Sequence, residues 1–320
     1  MSLRSSSWPS RLKLAAITCV AAVLTACGGD VYQPFEPQRI LSIGDEYSYI
    51  DATTGAKYTI NALRTDAAGA SVPNCDGYWL WTQYVAFEYG FRFAECPEAG
   101  AAPDTRARAL AKEGSKVADV ATQLDAAGGV QANDMILVQV GANDVWELYN
   151  QYGTTAATLD AVKAQANSRG KALAAQLLAW TEKGARIIVM DVTDQSDTPE
   201  ARSATGADVF NGLEQLSTAF NEGLRAGLSG DQRKIALILA NNRVKEAVDD
   251  ERYNFDNRTD AACVDGLASP KLCNTGTLKP DVDPNVDNAN YIFSSGRYLT
   301  PVMHRLLGDL ARSQADRQPF

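Results

Sequence analysis

The chain has 320 residues, 45% of them hydrophobic, and its 30 Lys and Arg are outnumbered by 39 Asp and Glu to give a formal charge of −9. That length and apolar content suffice for one large α/β domain or two small ones. The acidic balance excludes the basic footprint of a nucleic-acid binder and a polybasic grip on anionic lipid.

The N-terminus reads as a targeting segment. Arg4, Arg11 and Lys13 precede an apolar run, Leu14 to Ala26, too short to span a bilayer. The run ends Leu24-Thr25-Ala26-Cys27-Gly28-Gly29, which resembles a bacterial lipoprotein lipobox. The resemblance implies a signal peptide over residues 1–26, cleavage before Cys27 and acylation of that cysteine as the membrane tether. With Gly28 rather than Asp following it, sorting in a Gram-negative cell would favour the outer membrane. Loss of residues 1–26 removes three positive charges and no acid, taking the formal charge from −9 to −12. Residues 27–38, with Pro34 and Pro37, read as a linker, and residues 39–316 as one domain.

Within that domain, Ile40, Leu41 and Ile43 make a short strand broken by Gly44 and an acid-rich turn. Lys57 to Pro73 is polar and loop-like. Gly77 to Gly90 is predicted helical, with Trp81, Tyr84, Val85 and Tyr89 at helical spacing and Gly90 as the stop. A short apolar stretch, Ala109 to Ala111, leads through Gly114 to a helix over Ser115 to Ala127. Met135 to Val140 is a buried strand ending in the turn Gly141-Ala142-Asn143-Asp144. A long helix is predicted over Thr158 to Lys183, strands over Ile187 to Val192 and Ile235 to Ala240, and between them a helix striped by Val209, Leu213, Leu216, Phe220 and Leu224. Thr300 and Pro301 read as cap and first turn of a closing helix. Uninterrupted apolar strands between amphipathic helices predict a mainly parallel sheet covered on both faces.

The cysteines fit an exported protein. Cys19 leaves with the signal and Cys27 takes lipid, so Cys75, Cys96, Cys263 and Cys273 remain. Four cysteines allow three pairings, and local loop closure favours Cys75–Cys96 with Cys263–Cys273. No pair has CxxC spacing and the single histidine, His304, is remote, so neither a zinc site nor a cofactor is expected.

Four stretches together resemble the SGNH, or GDSL-type, lipase/esterase family. They are Gly44-Asp45-Glu46; Gly114; Gly141-Ala142-Asn143-Asp144; and Ala289-Asn290-Tyr291-Ile292-Phe293 running into Thr300 and His304-Arg305-Leu306-Leu307. Tyr253, Phe255, Asn257, Thr259, Ala262 and Cys263 resemble a further segment common in bacterial members. The resemblance implies a three-layer α/β/α fold with a mainly parallel, flavodoxin-like five-stranded sheet. It also implies an oxyanion hole at Gly114 and Asn143, with Asp45 and Trp146 on the cleft rim. The same alignment puts Glu46 at the nucleophile, Ser295 at the acid and Tyr298 at the base, so all three hydrolytic positions differ from the family. Acyl transfer needs an O–H nucleophile, a base and a group that orients the base. A carboxylate repels the charge that develops there, and a phenol is a poor base at neutral pH.

Other residues offer weak substitutes. His304 is expected in the closing helix, touching solvent or a neighbouring carbonyl; Ser48, Ser294 and Ser295 read as turn or loop residues, and Asp51 and Asp144 as local caps. Glu46 with Asp45 would be a carboxylate pair for glycoside chemistry only if adjacent turn residues converged. Trp146, Tyr149 and Tyr152 suit either core packing or a small acyl or glycan ligand. The expectation is a catalytically inactive envelope lipoprotein that binds a ligand or partner; the rival is an ester hydrolase with a non-standard site.

Overall fold

The computed structural model describes residues 35–97, 101–154, 157–206, 208–230, 233–283, 285 and 291–317. The signal segment, Cys27, most of the linker, Ala289 and Asn290 lie outside them. Residues Glu36–Phe320 cluster as one unit.

The chain begins its sheet with β1 (Arg39–Gly44), whose apolar run is buried from Ile40 onward. A hairpin follows, β2 (Leu63–Thr65) against β3 (Ser71–Pro73), then helix α1 (Trp81–Glu88), β4 (Ala107–Ala109) and α2 (Val120–Asp125). Strand β5 (Asp134–Gln139) runs into α3 (Ala142–Thr154), followed by α4 (Leu159–Glu182) and β6 (Arg186–Met190). Next come α5 (Pro199–Ser203), α6 (Val209–Gly227), β7 (Ile235–Ile238) and α7 (Ala240–Asp249). The chain closes with β8 (Asn257–Ala261), β9 (Tyr291–Ser295), β10 (Tyr298–Leu299) and α8 (Pro301–Arg317).

The central sheet has five strands in the order β4-β1-β5-β6-β7, and every pairing is parallel. Helices α3, α4 and α6 pack on one another, and α1 packs on α8, giving a three-layer α/β/α architecture. Because the chain leaves β1 for β4 on one flank and then crosses to β5 on the other, a crevice opens at the carboxyl ends of these strands. A smaller sheet, β10-β9-β8, carries the residues before α8.

Several boundaries differ from expectation. Lys57 to Pro73 is a hairpin preceded by buried polar residues, with Lys57, Thr59 and Asn61 all enclosed. They are buried because each serves backbone: the Lys57 ammonium donates to the carbonyls of Cys75, Gly77 and Tyr78, and the Asn61 amide to those of Lys57 and Cys273. The helix expected from Ser115 begins only at Val120, since the preceding turns give their N–H groups to the site. Helix α7 was not anticipated. Gln38, at the end of the expected linker, already donates its backbone N–H to Asn133 O, just ahead of the central strand β5. Disulfides Cys75–Cys96 and Cys263–Cys273 are both formed, with Cα–Cα distances of 5.6 and 5.7 Å. Among the described residues no helix is long and apolar enough to cross a membrane.

Candidate functional site

Three turns converge at the carboxyl ends of β1, β4 and β5. The first follows Gly44, which has φ of +127° and passes so close to β5 that an added Cβ would lie 1.8 Å from Gln139 O. Only glycine fits there. Gln123 of α2 braces this turn, accepting from Gly44 N at 2.7 Å and donating to Gly44 O at 2.9 Å and to Ser115 Oγ at 2.9 Å. The second turn carries Gly114 and the third, through Gly141, delivers Asn143 to the first turn of α3.

These turns bring Glu46, Gly114 and Asn143 together. Glu46 Oε1 accepts from Gly114 N at 2.8 Å, and its Oε2 accepts from Asn143 Nδ2, also at 2.8 Å. Asn143 Nδ2 donates as well to Ser115 O at 3.0 Å, which fixes the amide between the two loops. Glu46 is only 8% exposed. Its carboxylate therefore occupies the position toward which both donors point.

The surrounding wall is aromatic and cationic. Tyr298 is buried, its ring centroid 5.8 Å from that of Tyr47 and 4.6 Å from that of Tyr58. Burial, reinforced by the nearby Glu46, pushes the Tyr298 phenol far above its ordinary range; burial does the same to Tyr47 and Tyr58. Arg297 lies over the Trp146 ring at 5.1 Å and pairs with Glu200 at 2.9 Å. Burial opposes its charge, but Glu200, the two tyrosines and Glu46 outweigh that and hold the guanidinium above its ordinary value. Tyr47 Oη donates to the Arg297 carbonyl at 2.6 Å, tying the Glu46 turn to the β9–β10 turn.

Asp45, expected on the rim, is enclosed instead, whereas Trp146 is mostly covered but still borders the depression beside Asn143. Asp45 Oδ1 accepts from Tyr47 N at 3.2 Å to cap the short turn, and burial together with Glu46 raises its carboxyl well above the usual range. Trp146 is covered by Arg297 and donates through Nε1 to Gln195 Oε1 at 3.0 Å. What remains uncovered of the Trp146 ring lines a shallow open depression together with Gly114, Lys116, Asn143 and Glu147. Ser295 ends β9, opposite Tyr298 in the ladder, and its hydroxyl has no hydrogen-bond partner.

His304 is nowhere near solvent. It is fully buried, its Nδ1 accepts from Trp81 N at 3.4 Å at the start of α1, and burial with the nearby Lys57 ammonium lowers its pKa to about 3. A neutral imidazole is what the geometry requires, because only an unprotonated Nδ1 can accept. Ser48 Oγ and His304 Nε2 are both without hydrogen-bond partners, and Ser294 Oγ donates to Tyr298 O, so no serine is coupled to the imidazole among the described residues. Nor does any cluster of three or more His, Cys, Asp or Glu there suit a metal ion.

Sequence reasoning did not single out Arg297 or Gln123. Arg297, a lone cation between Gly296 and the apolar Tyr298-Leu299, carried a usable signal; Gln123, one glutamine in a polar helix, carried none.

No protein-family model and no curated protein matches the chain. Among solved structures it is similar to a member of the lipolytic G-D-S-L family from Veillonella parvula DSM 2008, at 11% identity and a TM-score of 0.43 over 86% of this chain and 96% of that one. It is also similar to the acetylxylan esterase Axe2 from Geobacillus stearothermophilus (12% identity, TM-score 0.40, 88% and 96% covered). A third is LAE5, an alpha/beta hydrolase enzyme from the metagenome of Lake Arreo, Spain (12% identity, TM-score 0.41, 89% and 97% covered). Likeness at this level does not fix what the site does.

Proposed function

We propose that this chain is a divergent SGNH-type protein whose acyl-transfer centre has become a fixed polar clasp, and that it binds a ligand or partner without turning over esters. One observation carries the reading: the carboxylate at the serine position bridges Gly114 N and Asn143 Nδ2 at 2.8 Å each. In a working acyl-transfer site such donors are held open for the oxygen of the reacting carbonyl. Glutamate is close in shape to an acylated serine: Cγ stands for the serine oxygen, Cδ for the acyl carbon, one Oε for the carbonyl oxygen and the other for the first carbon of the acyl chain. The site is filled with a permanent imitation of its own intermediate, and one that cannot be hydrolysed.

The remaining machinery supports the same reading. Tyr298 at the base position is a buried phenol that holds its proton, and the only histidine caps α1. Losing the nucleophile or the base alone costs a serine hydrolase about a millionfold in turnover. By the lipobox resemblance, the domain would be exported, cleaved before Cys27 and held by acyl chains on the outer membrane, with a small acyl or glycan group as its ligand.

The direct test is turnover of short p-nitrophenyl esters by purified protein, where background rates are expected. Clear hydrolysis that disappears in Glu46→Ala, or in a variant of an identified serine, would overturn the reading. A folded triple variant, Glu46→Ser with Ser295→Asp and Tyr298→His, should gain measurable esterase activity. Metabolic labelling with radioactive palmitate should mark the wild type and not Cys27→Ala.

A further inference from the structure

We propose that the Gly114 N–H, the Asn143 amide and the adjoining Arg297 guanidinium form a receptor for a monocarboxylate, and that Glu46 is its resident, covalently tethered ligand. This rests on the assignment of the site above but concerns what the pocket recognises, not whether it catalyses. The two donors meet two different carboxylate oxygens, Oε1 and Oε2, so the pocket matches a planar carboxylate and not a single oxyanion. The Tyr47, Tyr58 and Tyr298 rings pack together on one side of it, and Arg297 adds positive charge without taking either oxygen in a hydrogen bond. Both donors belong to loops that leave different strands, so the tethered carboxylate joins β1, the Gly114 loop and α3. The occupant ties the three turns together.

The chemistry makes the claim testable by fragment replacement. Glu46→Ala deletes a CH2–COO− unit, leaving a void that acetate fits; Glu46→Gly enlarges it by one carbon, to suit propionate. Removing the ligand takes the acceptor from the Gly114 N–H and from one of the two bonds of Asn143 Nδ2, and a free anion that restores it stabilises the folded state by mass action. In Glu46→Ala, acetate should raise the thermal midpoint saturably, on the order of 5 °C at a hundred times its dissociation constant. Sodium chloride at equal ionic strength should not. Wild type should show no acetate-specific rise, because its pocket is filled, and Glu46→Ala combined with Asn143→Ala should have lost it.

Absence of an acetate-specific rise in Glu46→Ala, or an equal rise in wild type or in the double variant, would overturn the proposal. If Glu46→Ala does not accumulate in folded form, refolding yield from urea with and without acetate reads the same effect. Ester turnover by wild type would refute the inactive-enzyme reading and leave this result untouched; failed acetate rescue would do the reverse.

Discussion

The bond between Glu46 and Asn143 can be measured in isolation. Asn143→Ala removes one amide-to-carboxylate hydrogen bond of 2.8 Å and one to the Ser115 carbonyl of 3.0 Å. Taking about 1.5–3 kcal/mol for a bond to a charged group and about 0.5–1.5 kcal/mol for a neutral one, the variant should lose about 2–4.5 kcal/mol. Glu46→Ala loses that same bond and also the bond to Gly114 N, so the two effects overlap. The double variant should therefore be more stable than the summed losses imply, with a coupling of about 1.5–3 kcal/mol. Urea melts of the four proteins with unchanged m-values would supply the cycle. A coupling below about 0.5 kcal/mol would mean the carboxylate gains nothing from its seat, and the clasp would be a coincidence of geometry.

The buried histidine predicts acid sensitivity. Its folded pKa, about 3, lies below the ordinary 6.5, so between those values the unfolded chain takes up a proton that the folded chain refuses. Stability contributed by His304 is thus complete above pH 6.5 and falls as pH drops toward 3, by on the order of 5 kcal/mol across the window. Asp191 and Asp197, raised to about 6 by burial, work in the opposite sense below that pH, so the comparison is with His304→Asn, which keeps an acceptor for Trp81 N. The slope of stability against pH should flatten in that variant; identical slopes would refute the assignment. Removing Cys75–Cys96, which spans 21 residues, should cost about 3 kcal/mol by loop entropy, read without reductant as a lower midpoint for the Cys75→Ser, Cys96→Ser variant than for wild type; equal midpoints would refute it. Gly44→Ala should fail to give soluble protein, and a folded, stable variant would show that β1 and β5 can part at that point.

Much of the architecture was legible because burial writes itself into residue type. The runs at Ile40, Met135, Ile187 and Ile235 are apolar on both faces, and strands of that kind have only one place to sit. The convergence of Glu46, Gly114 and Asn143 was readable from motif order, whereas the filling of the pocket was not. Whether a glutamate side chain turns inward or into solvent depends on which donors reach it, and those donors lie 68 and 97 residues away. The same long-range dependence misled the reading of Lys57 and His304. A lysine and a histidine look like surface groups until tertiary structure supplies three carbonyls for one and a helix-starting N–H for the other. Trp146 does border the depression beside Asn143, but the arginine that covers most of its ring comes from a distant turn and left no trace in the local sequence.

The cluster of Tyr47, Tyr58 and Tyr298 has a spectroscopic consequence. Among the described tyrosines these three have their phenols pushed furthest up, each desolvated and repelled by neighbouring acids. As alkali is added, they should remain dark in ultraviolet phenolate absorbance while exposed tyrosines titrate reversibly. Their colour should then arrive in one abrupt step, together with the collapse of the crevice, making the tyrosine cluster an intrinsic optical gauge of the integrity of the Glu46 turn.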